Sequence, residues 1–148
     1  MNIAPMRWWD VASLVTIESE LFGDTAWSAG QFWSELAHVP DTRRYVVARD
    51  DDGVLLGYAG VYVIKPTADV QTIAVAKQAQ RRGVGGALLD ALLLAAREYG
   101  CTEMMLEVRA GNASAIELYR ARGFEQLAVR RGYYGPGEDA LIMRLRPV

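Results

Sequence analysis

The sequence predicts an α+β fold (mixed α/β), with a central mixed sheet and helices on both of its faces. Three observations support this class. Two pairs of apolar segments are separated by the short turn-forming stretches "DDG" and "GPGE", as in β-hairpins. Between these hairpins, a strand pattern, a long helical pattern and a second strand pattern follow one another. Such a unit joins parallel strands through a right-handed crossover, so the sheet contains both strand orientations.

The first quarter of the chain predicts two helices. The first spans "WDVASLVTIESELF", with Asp10 as a plausible N-cap. Ser28 is placed to cap a short second helix that ends at Leu36. Residues near helical spacing on one face of the first helix are Val11, Leu14, Val15, Glu18 and Leu21.

The middle of the chain predicts three strands and the longest helix. "RYVVARD" and "VLLGYAGVYVI" form the first hairpin, and "VQTIAV" is a further strand after "KPTAD". A helix then runs from the glycine-rich stretch "QRRGVGGAL" to Tyr99, and Gly100 ends it.

The last third predicts a strand, a helix and a closing hairpin. "TEMMLEVRA" is a strand that runs parallel to "VQTIAV", and "NASAIELYRARG" is a helix that ends at Gly123. "FEQLAVRRGYY" and "DALIMRLR" are the two strands of the final hairpin.

Composition limits the class of protein. A length of 148 residues predicts a single domain over residues 1–148. The net charge of −2 gives no general attraction to nucleic acid or to a membrane surface. Cys101 is the only cysteine, which excludes an internal disulfide, and no leader or membrane-spanning apolar run is present. We therefore expect a cytoplasmic protein.

The glycine-rich stretch at residues 80–88 lies at the start of a helix, where glycine is a poor helix former. The unpaired N–H groups of a helix start bind phosphate well, and Lys77, Arg81 and Arg82 add positive charge nearby. The stretch lacks both the Gly-Lys-Ser/Thr ending of a P-loop and the spacing of a dinucleotide fingerprint. Two interpretations remain: the glycines hold a phosphate, or they only turn the chain and allow close packing.

The stretch resembles the acyl-CoA signature of the GNAT acetyltransferase superfamily, Gln/Arg-x-x-Gly-x-Gly/Ala, here Gln80 to Gly85. The resemblance implies the GNAT fold, with a mostly antiparallel sheet, and acetyl-CoA as co-substrate without a metal. It also implies that amides of the loop hold the CoA pyrophosphate and that the preceding strand pairs with the pantetheine arm. The cofactor-binding residues are then Ile73, Ala74, Val75, Arg81, Arg82, Gly83, Val84, Gly85, Gly86 and Asn112.

A longer pattern resembles one branch of this family. "LEVRAGNASAIELYRARGF", followed by "RRGYY" and "DALIMRL", is similar to the RimI-type enzymes, which acetylate the N-terminal alanine of a small-subunit ribosomal protein. The similarity is strong from about Gln71 onward. Two departures are the pair Ala76-Lys77, in place of a frequent Asp-Pro, and the compact final loop "YYGPGEDA".

Glu107 is the candidate general base. It is a carboxylate within the otherwise apolar strand "MMLEV", and the resemblance assigns it proton removal from the amine, directly or through one water. Its alternative roles are a solvent-facing carboxylate or an ion-pair partner of Arg109.

Tyr119 is the candidate acid, which by resemblance protonates the CoA thiolate; its alternative is a core position. Asn112 lies seven positions earlier, close to two helical turns, so the two side chains can share a face. By resemblance Asn112 binds the cofactor arm. Alternatively, Asn112 or Ser114 only starts the helix, and Ser114 with Glu117 has the spacing of a capping box.

Candidate acceptor contacts come from two aromatic segments. By resemblance Trp27 lines the peptide channel on one side, and Tyr133 and Tyr134 line it on the other. For the tryptophans as a group, Trp8, Trp9, Trp27 and Trp33, core and hinge packing is the alternative. Cys101 is expected to be a buried small residue, and His38 has no neighbours with metal-ligand spacing.

Three functions fit these residues. The resemblance favours an N-terminal protein acetyltransferase with a ribosomal protein as its acceptor. A GNAT enzyme that acetylates a small amine or lysine side chains is the second, and a non-catalytic acyl-CoA-binding module is the third. The presence of both Glu107 and Tyr119 counts against the third function, because a binding module needs neither side chain.

Overall fold

The computed structural model describes all 148 residues and contains seven strands and four helices. In chain order they are β1 (Asn2–Pro5), α1 (Val11–Phe22), α2 (Ala29–Leu36), β2 (Arg43–Arg49), β3 (Leu55–Ile64), β4 (Thr67–Val75), α3 (Val84–Glu98), β5 (Glu103–Arg109), α4 (Ala113–Ala121), β6 (Glu125–Gly135) and β7 (Glu138–Leu145). Short 3-10 turns precede α1, α2 and α3. The predicted elements are confirmed, with boundaries that move by a few residues.

The strands form one sheet in the order β1-β2-β3-β4-β5-β7-β6. β4 and β5 are parallel, with Thr67–Asp69 alongside Glu103–Met105. The pairs β1–β2, β2–β3, β5–β7 and β6–β7 are antiparallel. The predicted mixed, mostly antiparallel sheet and its crossover are therefore confirmed.

β1 was not predicted from the sequence. It has four residues, ends in Pro5, and pairs at the sheet edge, where Asn2 lies opposite Arg49. Strand propensity depends strongly on the neighbouring strand. The segment "NIAP" carries little strand signal of its own, so pairing with β2 decides its conformation.

The chain divides into two compact units, which are described separately. The first unit comprises Met1–Tyr62 and Gln71–Leu92. Its largest fully buried side chains include Leu14, Phe32, Tyr45, Tyr58, Leu88 and Leu89. The second unit comprises Val63–Val70 and Leu93–Val148, and its buried side chains include Met104, Leu106, Tyr119, Phe124 and Met143.

The helical pattern of α1 is confirmed by burial. Of the predicted face, Val11, Leu14 and Glu18 are buried, with Glu18 2% exposed, whereas Val15 and Leu21 are half-buried. Ile17, outside the predicted set, is also buried. α2 begins as expected: Ser28 accepts a hydrogen bond from the N–H of Gln31, whose side chain accepts one from the N–H of Ser28. This reciprocal pair is a capping box and fixes where α2 starts.

Asp10 occupies the N-cap position of α1 but does not cap it, so that prediction is wrong about its role. Its carboxylate accepts a hydrogen bond from the N–H of Arg7 (2.8 Å) and forms an ion pair with Arg49 (2.6 Å). A 3-10 turn over Trp8–Asp10 precedes the helix. Asp10 therefore closes this turn and ties it to β2.

Core packing, one part of the alternative given for the tryptophans, does not hold for three of the four. Trp8, Trp9 and Trp33 are 70%, 63% and 56% exposed. Trp27 is half-buried, with its ring against that of Phe32.

The expected burial of Cys101 is confirmed, and burial raises the pKa of its thiol. None of the helices is long and apolar enough to span a bilayer.

Candidate active site

The glycine-rich loop of the first unit connects β4 to α3. Arg81 and Gly83 both adopt left-handed backbone angles, with φ of 62° and 81°. α3 begins at Val84, and its first helical hydrogen bond runs from the N–H of Ala87 to the carbonyl of Gly83 (3.1 Å). The amides of Val84, Gly85 and Gly86 therefore precede the hydrogen-bonded part of the helix, where N–H groups have no acceptor within the helix.

This loop fits the diphosphate of an acyl-CoA. A Cβ atom built on Gly83 would meet nothing within 4 Å, so the loop is open on that side. Arg81 and Arg82 are exposed beside it. Free amides at a helix start, together with two cations, bind phosphate oxygens well. Of the alternative roles, close packing does not apply at Gly83, because a Cβ there would meet nothing, whereas its φ of 81° is that of a residue that turns the chain.

The strand that precedes the loop has a mixed environment. Ala74 is buried, whereas Ile73 and Val75 are half-buried. The side-chain amide of Gln80 donates a hydrogen bond to the carbonyl of Val75 (3.2 Å), which ties the loop to the end of β4. The first residue of the acyl-CoA signature thus has a structural role of its own.

In the second unit, Glu107 on β5 forms an ion pair with Arg130 on β6, with 2.8 Å between Oε1 and Nη1. The predicted alternative partner, Arg109, is instead paired with Glu138 at 3.6 Å. The side chain of Glu107 is 33% exposed. Glu107 is therefore a partly exposed carboxylate held by a cation from another strand.

The strand register explains this pairing. Ala140 on β7 lies opposite both Arg109 on β5 and Arg130 on β6. Residues opposite one another share a face of the sheet, as do residues two apart along a strand. Arg130 and Glu107 are therefore on one face, and the small buried side chain of Ala140 leaves room for the arginine to cross β7.

Tyr133 and Tyr134 join this cluster through their rings. Their centroids are 5.0 Å apart in an edge-to-face arrangement. The Arg130 guanidinium lies 4.2 Å from the centre of the Tyr133 ring, and that of Arg109 lies 4.2 Å from the Tyr134 ring. Burial and the charge of Glu107 raise the pKa of Tyr134, while the two arginines oppose the shift. The predicted base and the predicted aromatic pair thus belong to one cluster.

Asp139 fixes the backbone beside this cluster. Its carboxylate accepts a hydrogen bond from the N–H of Gly132 (2.9 Å), and its carbonyl accepts one from the N–H of Ala110 (2.9 Å). Gly132 has a φ of 63°, within a register shift of β6 between Arg130 and Gly135. The two tyrosines therefore lie in an irregular stretch of β6 that Asp139 holds in place.

Tyr119 on α4 is buried, 5% exposed, with its ring centroid 5.8 Å from that of Phe124. Burial, with a smaller contribution from Tyr134, raises the pKa of Tyr119 to about 12. The phenol therefore stays protonated at neutral pH, which is the form a proton donor needs. The same side chain also contributes to the core of the unit.

Asn112 is the N-cap of α4. Its Oδ1 accepts a hydrogen bond from the N–H of Ala115 (3.2 Å). Ser114 lies inside the helix and its hydroxyl donates to Asn112 (3.4 Å), so the capping box predicted for Ser114 and Glu117 is wrong. Asn112 is exposed whereas Tyr119 is buried, so the two differ in environment despite their spacing.

Trp27 belongs to the first unit, in the extended segment between α1 and α2. Its backbone N–H donates to the carboxylate of Glu18 (2.8 Å), and its ring centroid is 5.2 Å from that of Phe32.

The chain contains no group of three or more His, Cys, Asp or Glu side chains arranged to hold a metal.

Sequence reasoning missed Arg130, Asp139 and Glu18 as members of these clusters. Arg130 and Asp139 act across strands, so only the register of β5, β6 and β7 would reveal them. A carboxylate at an apolar position of a helix was the available signal for Glu18.

A helix start with free amides and two neighbouring arginines is an arrangement suited to a phosphate-bearing co-substrate. The chain belongs to the GNAT acetyltransferase family: the profile described as "Acetyltransferase (GNAT) family" matches residues 6–124. Acetyl-CoA is the acyl donor of this family, and the loop described above fits it.

Relatives of known name support the same family. The chain is 40% identical to the N-alpha-acetyltransferase RimI of Mycobacterium tuberculosis over 91% of this chain and 85% of that protein. It is also 43% identical to a longer Mycobacterium leprae protein, of whose length it spans only 38%. The crystal structure of the ribosomal-protein-S18-alanine N-acetyltransferase from Escherichia coli superposes with a TM-score of 0.85 at 31% identity, covering 99% of this chain and 93% of that one.

Proposed function

We propose that residues 1–148 form one acetyltransferase domain that transfers acetyl from acetyl-CoA to the α-amine of a protein N-terminus. The first acceptor residue is small, with the N-terminal alanine of a small-subunit ribosomal protein as the leading candidate. The names of the M. tuberculosis and E. coli relatives support this acceptor class. We place the reaction in the cytoplasm, where such an acceptor is made.

One observation carries the proposal: Glu107, held by Arg130, is a partly exposed carboxylate close enough to Tyr134 for its charge to raise the pKa of that phenol. One partly exposed carboxylate is a modest base. It suffices for an α-amine, which titrates at about 8, but is marginal for a lysine, which titrates at about 10.4. The tyrosine pair beside it provides aromatic surface against which a short extended peptide can lie.

The residues divide the reaction between them. Acetyl-CoA supplies the acetyl group as a thioester, and the amine nitrogen forms the new C–N bond as the C–S bond breaks. Arg130 binds Oε1 of Glu107, so we assign Oε2 to accept the proton released by the amine. We assign Tyr119 to donate its phenolic proton to the leaving sulfur, since the phenol is protonated at neutral pH.

The cofactor contacts follow from the loop. We assign the diphosphate to the amides of Gly83, Val84, Gly85 and Gly86, with Arg81 and Arg82 as counter-charges. The remaining assigned contacts are the backbone of Ile73, Ala74 and Val75 for the pantetheine arm, Asn112 for the same arm, and Trp27, Tyr133 and Tyr134 for the acceptor.

The test is a competition between two peptides in the presence of acetyl-CoA. One peptide has a free N-terminal alanine and no lysine; the other has the same sequence with a blocked terminus and one internal lysine. Mass spectrometry at early time points gives both rates. We expect acetylation of the free terminus to dominate. Equal rates would contradict terminal specificity.

Small amines such as polyamines and amino acids, included in the same assay, test the second function. Faster acetylation of a small amine than of any peptide would favour that alternative. Acetyl-CoA binding without transfer to any acceptor would favour the non-catalytic module.

A further inference from the structure

Glu18 is a buried carboxylate outside the residues assigned to the reaction. It lies on α1 in the first unit and is 2% exposed. Its Oε1 accepts a hydrogen bond from the hydroxyl of Tyr58 on β3 (2.8 Å), and its Oε2 accepts one from the backbone N–H of Trp27 (2.8 Å). Both donors are neutral groups. Burying a carboxylate against neutral donors costs stability relative to an apolar side chain of similar size.

These two hydrogen bonds and two aromatic contacts connect Trp27, Phe32, Tyr58 and Glu18 in a closed cycle. The Trp27 ring packs against Phe32 with 5.2 Å between centroids, and Phe32 packs edge-to-face against Tyr58 at 5.8 Å. The Tyr58 hydroxyl then reaches Glu18, which binds the Trp27 backbone. Burial and the Glu18 carboxylate raise the pKa of Tyr58, so its hydroxyl remains a donor. Trp27 is thus held by its backbone and by its ring.

The hydrogen bonds on either side of Trp27 are local. Thr25 and Ala26 hydrogen-bond to Phe22 and Gly23 within the preceding turn, and Ser28 bonds to Gln31 within α2. The bond from Trp27 to Glu18 spans nine residues and reaches the interior. It is a long-range hydrogen bond that ties this extended stretch to α1.

We propose that Glu18 is a positioning residue that fixes Trp27 and thereby limits the size of the first acceptor residue. The part concerning the acceptor rests on the proposed function, whereas the anchoring of Trp27 does not. A buried, doubly bonded carboxylate holds a backbone segment in one place, and a wall that discriminates by size must not move.

Graded variants separate this role from general stability. Glu18→Gln keeps the shape and one or both hydrogen bonds but loses the charge, and Glu18→Met removes both bonds while filling similar space. Tyr58→Phe removes one of the two donors. The matched control is Tyr45→Phe, because the Tyr45 hydroxyl donates in the same way to Glu35 (2.7 Å) in the same unit. A second control is Asp10→Asn, a buried carboxylate that binds the N–H of Arg7.

The anchoring is measured without any acceptor, by amide hydrogen exchange of residues 23–28 in the free protein. We expect Trp27 to exchange about tenfold faster or more in Glu18→Met, with Glu18→Gln intermediate. The two controls should leave this segment unchanged even where they lower the melting temperature. Unaltered exchange at Trp27 in a folded Glu18→Met protein would overturn the proposal.

The size limit is measured as the ratio of kcat/KM for peptides that begin with Ala and with Leu. We expect this ratio to fall by about threefold to tenfold in Glu18→Met, to recover partly in Glu18→Gln, and to stay constant in the controls. KM for acetyl-CoA should not change in any of them. Faster exchange with an unchanged ratio would overturn the role in selectivity. If the wild-type protein acetylates no peptide, the proposed function has failed, and the exchange measurement alone decides the anchoring.

Discussion

Arg130 reaches across β7 to place its guanidinium 2.8 Å from the Glu107 carboxylate. The side chains are 48% and 33% exposed, so the pair is partly screened by solvent. Ion pairs this exposed contribute about 1 kcal/mol or less to stability. Its main consequence is orientation, because one oxygen of the carboxylate is held in place.

Replacing Arg130 should therefore change turnover more than stability. We expect Arg130→Met to lower kcat/KM for an alanine peptide by about threefold to tenfold, and Arg130→Lys to give an intermediate value. The free energy of unfolding should change by about 1 kcal/mol or less. Steady-state kinetics and urea denaturation give the two quantities.

Glu138→Gln is the control for Arg130, since it breaks the neighbouring ion pair with Arg109 (3.6 Å) and leaves Glu107 untouched. This variant should retain wild-type turnover. An equal loss of activity in both variants would show that general surface charge, not the orientation of Glu107, is responsible.

The raised pKa of Tyr119 predicts a stability change at high pH. Its pKa moves from 10.0 to about 12 in the folded protein, so folding is favoured by keeping the phenol protonated. This contribution is complete below pH 10 and is lost as the pH rises toward 12, by at most about 3 kcal/mol. Tyr119→Phe should remove that part of the alkaline decline. Urea denaturation of both proteins at pH 8 and pH 12 measures the difference.

Tyr119→Phe should also slow acetyl transfer at neutral pH while leaving acetyl-CoA affinity nearly unchanged, since only the proton donor is lost. Glu107→Gln should lose turnover as well, but with partial recovery at high pH, where more of the amine is already neutral. Wild-type turnover in both variants would remove the acid–base assignment.

Gly83 and Gly53 form a matched pair for testing the cofactor loop. Both have φ of 81°, and in both a Cβ would meet nothing within 4 Å. Substitution by alanine should therefore cost each a similar backbone strain, about 1 kcal/mol. Gly83→Ala alone should weaken acetyl-CoA binding, by about tenfold or more, because the added methyl group occupies the open side of the loop. Equal Kd values in calorimetry would exclude the diphosphate from this loop.

Much of the fold could be predicted from local patterns, because the interactions that start and end these elements are made by residues close together in the chain. The reciprocal bonds of Ser28 and Gln31 follow from residue types three positions apart. Gly100 and Gly123 end α3 and α4 with positive φ, which glycine adopts without strain. The two hairpins and the parallel crossover needed no more than turn chemistry and apolar runs.

The parts that could not be predicted depend on residues far apart in the chain. The Asp10 carboxylate accepts a hydrogen bond from Arg49, 39 positions away, instead of capping α1. Glu107 pairs with Arg130 rather than with Arg109 on its own strand, because the register of β5, β6 and β7 puts Arg130 on the face of the sheet that carries Glu107. The family resemblance named Glu107, Tyr119 and the tyrosine pair as candidates, but it did not name Arg130 and Asp139, which contact Glu107 and the backbone beside the tyrosines.

Asn112 has two candidate roles that a single substitution can separate. Its Oδ1 caps α4 through the N–H of Ala115, so the side-chain NH2 group is the part assigned to the cofactor arm. Asn112→Asp keeps the capping oxygen and removes that donor, whereas Asn112→Ala removes both. We expect Asn112→Ala to cost about 1 kcal/mol of stability and Asn112→Asp much less. Both should weaken acetyl-CoA binding if the NH2 group contacts the cofactor. Calorimetry that finds wild-type affinity in Asn112→Asp would leave Asn112 as a helix cap alone.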